Sequence, residues 1–360
     1  MMKILINKLK KIAIFYWVTY QKGKTYKEMT FGIKLKKLTK EQKRLAQKYY
    51  KEKTGRRINL KWHRYYYTIN GLFTPEYLSV ELYHTKIIPA LNDTSMSKAY
   101  ADKNITSRLF HQMVQPKAII KNMNGFYYEN DKPISKSDAI ALCHNLADAV
   151  IKSTMDTAQG KSIIRFSSFN NIASHNNMPM EKLFDLYGKN FIVQEAVKQH
   201  PILASLNPTS LNTVRLTTFR RETDVVVLFS LVRMGKKGAK VDNVSAGGLF
   251  CKIHPDGHLD KYAYSTIPTK RYEKNELGVE FGKITIPYYS QIVEKAKSMH
   301  LSLPYTKIVG WDITVNDNDE VVLIELNLNS PAVYQLIGPA LGDHSDEILS
   351  MIRTKKLFYS

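Results

Sequence analysis

The chain has 360 residues, 44% hydrophobic and 11% aromatic, which is enough to bury a large core in two or three subdomains and excludes a disordered chain. Its net charge of +21 is uneven: residues 1–64 hold twenty Lys and Arg against Glu28, Glu41 and Glu52, a net of +17, and the remainder carries +4. No apolar run of about 18 residues is present to cross a membrane, and Cys143 and Cys251 fit no metal or redox spacing, so both read as core thiols in a reduced, cytoplasmic setting.

Residues 4–20 predict a helix with Ile4, Leu5, Leu9, Ile12 and Phe15 on one side and lysines on the other, followed by Trp17 and Tyr20. Lys8, Lys10 and Lys11 interrupt the apolar stretch and no small-residue cleavage site follows, which excludes an ordinary signal peptide. Such a helix can pack on its own domain, or it can lie on an anionic membrane surface, which would hold a cytoplasmic protein at the inner face of the membrane. Nucleic acid is not the expected partner of residues 1–64, because no recognisable nucleic-acid-binding fold accompanies them. Residues 39–53 predict a second, Lys-rich helix ending near Gly55. Trp62, His63, Tyr65, Tyr66 and Tyr67 offer rings to a sugar or base, but packing is the plainer role.

From Leu91 the texture changes to short strands and helices. Asp102 is placed as a helix N-cap with Lys103 just inside, where a cation opposes the helix dipole and is a candidate for holding an anion with the free amides. A short apolar strand ends in Lys152, and a small polar loop, Ser153–Gly160, leads to a second strand over Ser162–Phe166. Amides of such a loop can cradle phosphate while Lys152 supplies a point charge. This is not a Walker A loop, since Gly-x-x-x-x-Gly-Lys-Ser/Thr is absent and no helix follows directly. The apolar strand from Phe191 breaks into polar residues by Pro201, an end that can offer backbone groups to an adenine edge, with Gln199 or His200 near a ribose. Asn212 and Arg215 open a strand whose antiparallel partner is Asp224–Met234, and the glycines of Val241–Leu249 permit close backbone approach to a ligand. Helices are expected over residues 289–299 and from Asp346 to Lys356.

The richest stretch is Gly310–Pro331, where two β-rich runs flank a polar turn, Asn316–Asp319. With Val315 opposite Glu320, Asp312 faces Leu323 and shares a face with Leu323, Glu325 and Asn327. Two carboxylates and an amide then converge among apolar neighbours, a set of hard oxygen ligands that suits Mg²⁺.

Six stretches in this order resemble the sugar-transfer-associated ATP-grasp family: Tyr100–Phe110, Val150–Ile164, Phe191–Pro201, Asn212–Phe219, Val241–Leu249 and Gly310–Ser330. The resemblance covers residues 75–342 and implies an α+β fold, two α+β subdomains gripping ATP, here preceded by a basic, mainly helical N-terminal segment. The corresponding units are residues 1–90, 91–190 and 191–360. It implies that Lys103 and Lys152 contact ATP phosphates. The loop Thr154–Lys161, with Asp156, Gln159, Gly160 and Lys161, matches a mobile loop that covers the phosphates. Gln194, Glu195 and Val197 match the adenine-binding linker, with His200 beside it. Arg215 matches a basic residue at the reaction centre, and Asp312, Glu325 and Asn327 match the Mg²⁺ ligands. The segment before residue 90 departs from the alternating α/β domain of many such proteins, and the phosphate loop has one glycine where many have several.

The reaction implied is amide formation through an acylphosphate, with ATP and Mg²⁺, on a small-molecule or glycan acceptor in cell-surface polysaccharide modification. A kinase on the same scaffold, phosphorylating a sugar or related hydroxyl, would carry the same motifs. A non-catalytic module, held to membrane or nucleic acid by its basic end, is the third possibility.

Overall fold

A computed structural model describes residues 2–354 except 156–162, 240, 241, 243, 245, 246, 268, 330 and 331. The N-terminal region is mainly helical. Its first helix, Met2–Thr30, runs past the expected end at residue 20, because nothing between Tyr20 and Thr30 breaks it before Gly32 takes a left-handed φ of 72°. The second, Lys40–Thr54, starts at a capping box in which Thr39 and Gln42 satisfy each other's amides, and stops at Gly55 in the left-handed conformation. In the third, Lys61–Asn70, Trp62, Tyr65 and Tyr66 are fully buried. Those aromatics pack; they are not a stacking platform.

Two antiparallel sheets follow. The first holds eight strands, β1 (Ala118–Met123), β2 (Phe126–Glu129), β3 (Lys132–Ile134), β4 (Leu146–Ser153), β5 (Ile163–Phe169), β6 (Ile172–Ala173), β7 (Met178–Pro179) and β8 (Phe191–Glu195), in the order β3-β2-β1-β8-β4-β5-β6-β7. The helices Lys136–Ala141 and Met180–Tyr187 cover one of its faces and close a core around Ile120, Ile151, Leu183, Phe184 and Phe191.

The second sheet holds β9 (Thr213–Arg220), β10 (Val225–Met234), β11 (Leu249–Ile253), β12 (Leu259–Thr266), β13 (Thr269–Tyr272), β14 (Ile308–Val315) and β15 (Val321–Asn327), in the order β13-β12-β11-β10-β9-β14-β15. Its two faces differ. Val214, Leu216, Val232, Trp311, Ile313 and Leu323 pack against the helix Tyr289–Leu301. The other face is apolar at one end only, where Phe219, Leu231, Phe250 and Ile308 meet Trp62, Tyr66, Ile87 and Leu91 of the N-terminal region. Residues 50–91 thus complete the core of this sheet. The rest of that face is polar and carries Arg215, Arg233 and Asp312.

Asn92 is the peg that joins these layers. Its Nδ2 donates to the carbonyls of Ile308 (2.7 Å) and Leu328 (2.9 Å), and its Oδ1 accepts from the amides of Lys307 (3.0 Å) and Ile308 (2.9 Å), all at a residue 2% exposed. Asn92→Ala strands these backbone groups without water. It should cost about 3 kcal/mol or more in chemical denaturation, whereas a loss under about 0.5 kcal/mol would show that the peg is dispensable.

Candidate active site

The site grows from the β14–β15 hairpin, and a bulge makes it possible. Val315 pairs with Val321, Thr314 with Val322 and Ile313 with Leu323; the register then shifts, and Asp312 pairs with Glu325, Trp311 with Leu326 and Gly310 with Asn327. Ile324 is the extra residue. The expected register, with Val315 opposite Glu320 and Leu323 on the face of Glu325, is corrected. The loop extends through Glu320, because Asn316 Oδ1 accepts from both the Asn318 and Glu320 amides, and Leu323 lies in the opposite core. Without the bulge Asp312 would pair with Ile324 and the two carboxylates would sit on opposite faces. The bulge restores the shared face that the acidic pattern demands.

Asp312 is fully buried, with both oxygens paired. Arg215, its partner across the β9–β14 ladder, donates Nε to Oδ1 at 2.5 Å and a terminal nitrogen to Oδ2 at 2.7 Å. Arg233, on the far side of β9, reaches Oδ2 at 3.1 Å. Burial pushes the Asp312 carboxyl up, but Arg215 and then Arg233 outweigh it and hold the group down at about 2. Arg233 also pairs with Asp242 at 3.2 Å, and Asp242 accepts from the Thr213 hydroxyl. Burial keeps the Asp242 carboxyl above its usual range despite Arg233.

Glu325 and Asn327 complete the acidic side. Asn327 Nδ2 stands 3.2 Å from Asp312 Oδ2 and 3.4 Å from Glu325 Oε1, so oxygens from two carboxylates converge on one amide group. Turning that amide over presents a third oxygen to the same point. This set of hard oxygens fits Mg²⁺ in kind. Among the described residues no group of three or more His, Cys, Asp and Glu gathers to hold a metal.

The first sheet and the helix before it contribute the cationic wall. Asp102 caps the helix Lys103–Leu109 by accepting the Asn104 amide at 2.9 Å, which sets Lys103 in the first turn, and its ammonium lies 3.4 Å from Glu325 Oε2. Thr154 fastens that helix to β4: its carbonyl accepts the Lys103 amide at 3.3 Å and its hydroxyl oxygen accepts Asn104 Nδ2 at the same distance. Lys152, near the end of β4, is 7% exposed, and burial, then Lys103, press its ammonium down to about 8 while Glu325 opposes them.

Of the residues singled out in the sequence, Lys103, Lys152, Thr154, Arg215, Asp312, Glu325 and Asn327 meet here. Gln194 lies at the end of β8 with its amide on the Pro116 carbonyl (3.2 Å), Glu195 turns outward to Lys117 (2.8 Å) and Val197 is half-buried. His200 caps the helix Pro201–Leu206 and faces Asp319 at the hairpin tip (3.4 Å), not the carboxylates. Gln199 is no ribose contact: its amide is taken up by the carbonyls of Asn207 and Ser210 and the amide of Asn212. Asp156, Gln159, Gly160 and Lys161 lie outside the described residues, as does part of Val241–Leu249. Arg233, Asp242 and Thr213 escaped notice. Arg233 had a signal, being the one charge in the apolar run of β10.

Lys152 yields a pH signature. Its folded value lies below that of the unfolded chain, so its charge weakens the fold below about pH 8, and the penalty is relieved as pH rises from about 8 to 10.5. The stability difference between Lys152→Met and wild type should therefore shrink across that window, by about 3 kcal/mol at most. A difference independent of pH would mean that Lys152 is freely solvated.

No curated protein matches the chain. Solved structures similar to it include the VanG D-Ala:D-Ser ligase of Enterococcus faecalis (13% identity, TM-score 0.45, 72% of this chain and 62% of that one) and the D-alanyl-alanine synthetase A of Vibrio cholerae (11%, 0.44, 72% and 66%). Another is the carboxyaminoimidazole ribonucleotide synthase of Aspergillus clavatus, complexed with ATP (12%, 0.37, 64% and 44%). The chain spans less than two thirds of each. The family described as sugar-transfer associated ATP-grasp matches residues 82–344, from the end of the N-terminal helices through the whole of both sheets, and the chain belongs to that family.

Proposed function

We propose that this protein is an ATP- and Mg²⁺-dependent ligase that joins a carboxylate to an amine in the modification of a cell-surface polysaccharide or glycan. The observation that carries the reading is the meeting of four cationic side chains, Lys103, Lys152, Arg215 and Arg233, with the oxygen set of Asp312, Glu325 and Asn327. Negative charge moves during phosphoryl transfer, and fixed positive groups in a dry site lower its cost. Lys103 and Lys152 would hold the phosphates of ATP, and Arg215 would face the transferred group. Asp312, Glu325 and Asn327 would hold Mg²⁺, which supplies further positive charge against those phosphates when bound. The adenine would lie at the linker Gln194–Val197, and the loop Thr154–Lys161 would cover the phosphates.

In the reaction a carboxylate oxygen of the acceptor attacks the γ-phosphorus, the bond from that phosphorus to the β–γ bridging oxygen breaks, and ADP leaves. An amine then attacks the acyl carbon, the bond from that carbon to the phosphate oxygen breaks, inorganic phosphate leaves with that oxygen and the bonding pair, and the amine's proton passes to phosphate or water to give the amide.

The test uses the full chain with MgATP, a panel of sugar acids and amino acids, and hydroxylamine as the surrogate amine. The expected result is a hydroxamate, with free phosphate released in equal amount and dependent on one acid. A γ-phosphoryl group recovered in a stable ester would make the protein a kinase, and a folded chain that neither binds nor turns over MgATP would make it a binding module.

A further inference from the structure

The helix Met2–Thr30 has one face against the protein and another turned to solvent. Tyr26 meets the ring of Trp62 edge-on at 5.0 Å, Met29 is buried, and the carbonyl of Met29 accepts the Thr269 hydroxyl at 3.1 Å. Lys22, Tyr26 and Met29 stand three and four residues apart, which defines the packed side. Ala13, Tyr16, Trp17, Tyr20, Lys24 and Lys27 recur at the same spacing on the opposite side, and all are exposed. Tyr16 is 68% exposed, Trp17 63% and Tyr20 69%. Tyr16, Trp17 and Tyr20 point away from the core, the reverse of a folding pattern, and a turn or two of helix separates them from lysines on the same stripe.

A surface of this composition selects its occupant. Tyr and Trp carry an apolar body and a polar tip, which suits the boundary between headgroups and acyl chains, and lysines beside them suit lipid phosphates. The net charge of +17 over residues 1–64 adds a broad attraction to any anionic surface. A second copy of the chain is disfavoured, because closing the two stripes together would bring two such basic segments into contact. Among the described residues no helix is long and apolar enough to cross a membrane, so attachment would be peripheral.

We propose that this face of the first helix docks on a bilayer containing anionic phospholipid, with Tyr16, Trp17 and Tyr20 at the headgroup boundary and Lys24 and Lys27 on lipid phosphates. The helix Met2–Thr30 is anchored to the body through Tyr26 and Met29, so the aromatic stripe is presented on a fixed strut.

The molecule carries its own reporter. Of its three tryptophans, Trp62 and Trp311 are fully buried and Trp17 alone is exposed. The full chain would be titrated, in about 0.1 M NaCl, with phosphatidylcholine vesicles with and without an equal share of phosphatidylglycerol. The expected result is a shift of Trp17 emission to shorter wavelength and co-flotation with the anionic vesicles only, both lost in about 1 M NaCl. Lys24→Ala with Lys27→Ala should weaken binding by about tenfold or more, and Tyr16→Ser with Tyr20→Ser should abolish the shift, with thermal melting unchanged in both. Equal binding to the two vesicle types, or no shift and no flotation with either, would overturn the proposal. So would a shift produced by a single-stranded oligonucleotide and not by vesicles, or one that follows protein concentration and reports self-association.

Discussion

One carboxylate, Asp312, is held by two guanidinium groups on the next-to-edge strand of a seven-stranded sheet, and the local structure answers to it. Taking an aspartate to 0% exposure is costly, and the attraction to Arg215 and Arg233 repays that cost only while both pairs are intact. Three apolar residues of similar volume in the same places often hold a fold as well or better. What the triad does locally is set a buried carboxylate and fixed positive charge beside the partly exposed Glu325 and Asn327. Arg233 extends the constraint outward, since it ties Asp312 to Asp242 in the connection between β10 and β11.

Around that centre the fold solves a problem of convergence. The acidic groups come from the last hairpin of the second sheet, Lys152 comes from β4 of the first, and Lys103 from the helix that precedes the first sheet. They meet because Thr154 joins the start of the helix Lys103–Leu109 to the end of β4, and because Lys103 then spans to Glu325. The N-terminal helices, which lack the alternating strands of a nucleotide-binding domain, take a different part. Their aromatic residues fill the apolar end of the face that carries Asp312, leaving its polar end to the cluster.

The α+β class, the basic helical beginning and the last hairpin were legible because each leaves a local mark: lysine density, alternation, and two β-rich runs about a polar turn. The cap at Asp102 and the helix stop at Gly55 were legible for the same reason. The shared face of Asp312 and Glu325 was inferred, but with Asp312 opposite Leu323, because a bulge is a property of two strands and Ile324 carries no mark of it. Arg233 was missed because a lone arginine in a strand gains meaning only from a carboxylate two strands away. Gln199 was misjudged because its hydrogen bonds go to the backbone of Asn207–Asn212, which no side-chain pattern announces. The aromatic residues of the first helix were visible, but their direction was not. Which side of a helix faces the body depends on contacts such as Tyr26 with Trp62.

The proposed activity requires the oxygen set of Asp312, Glu325 and Asn327 to act as a cation-dependent nucleotide site. Titration calorimetry of ATP into the full chain, with Mg²⁺ and with chelator, tests this directly when wild type is compared with Glu325→Gln, a change at a half-exposed carboxylate that leaves the buried triad whole. The expected result is binding in wild type that requires Mg²⁺, and a loss of at least about tenfold in Glu325→Gln with thermal melting preserved. Binding of equal strength with and without Mg²⁺, or no binding by the folded wild type, would contradict it.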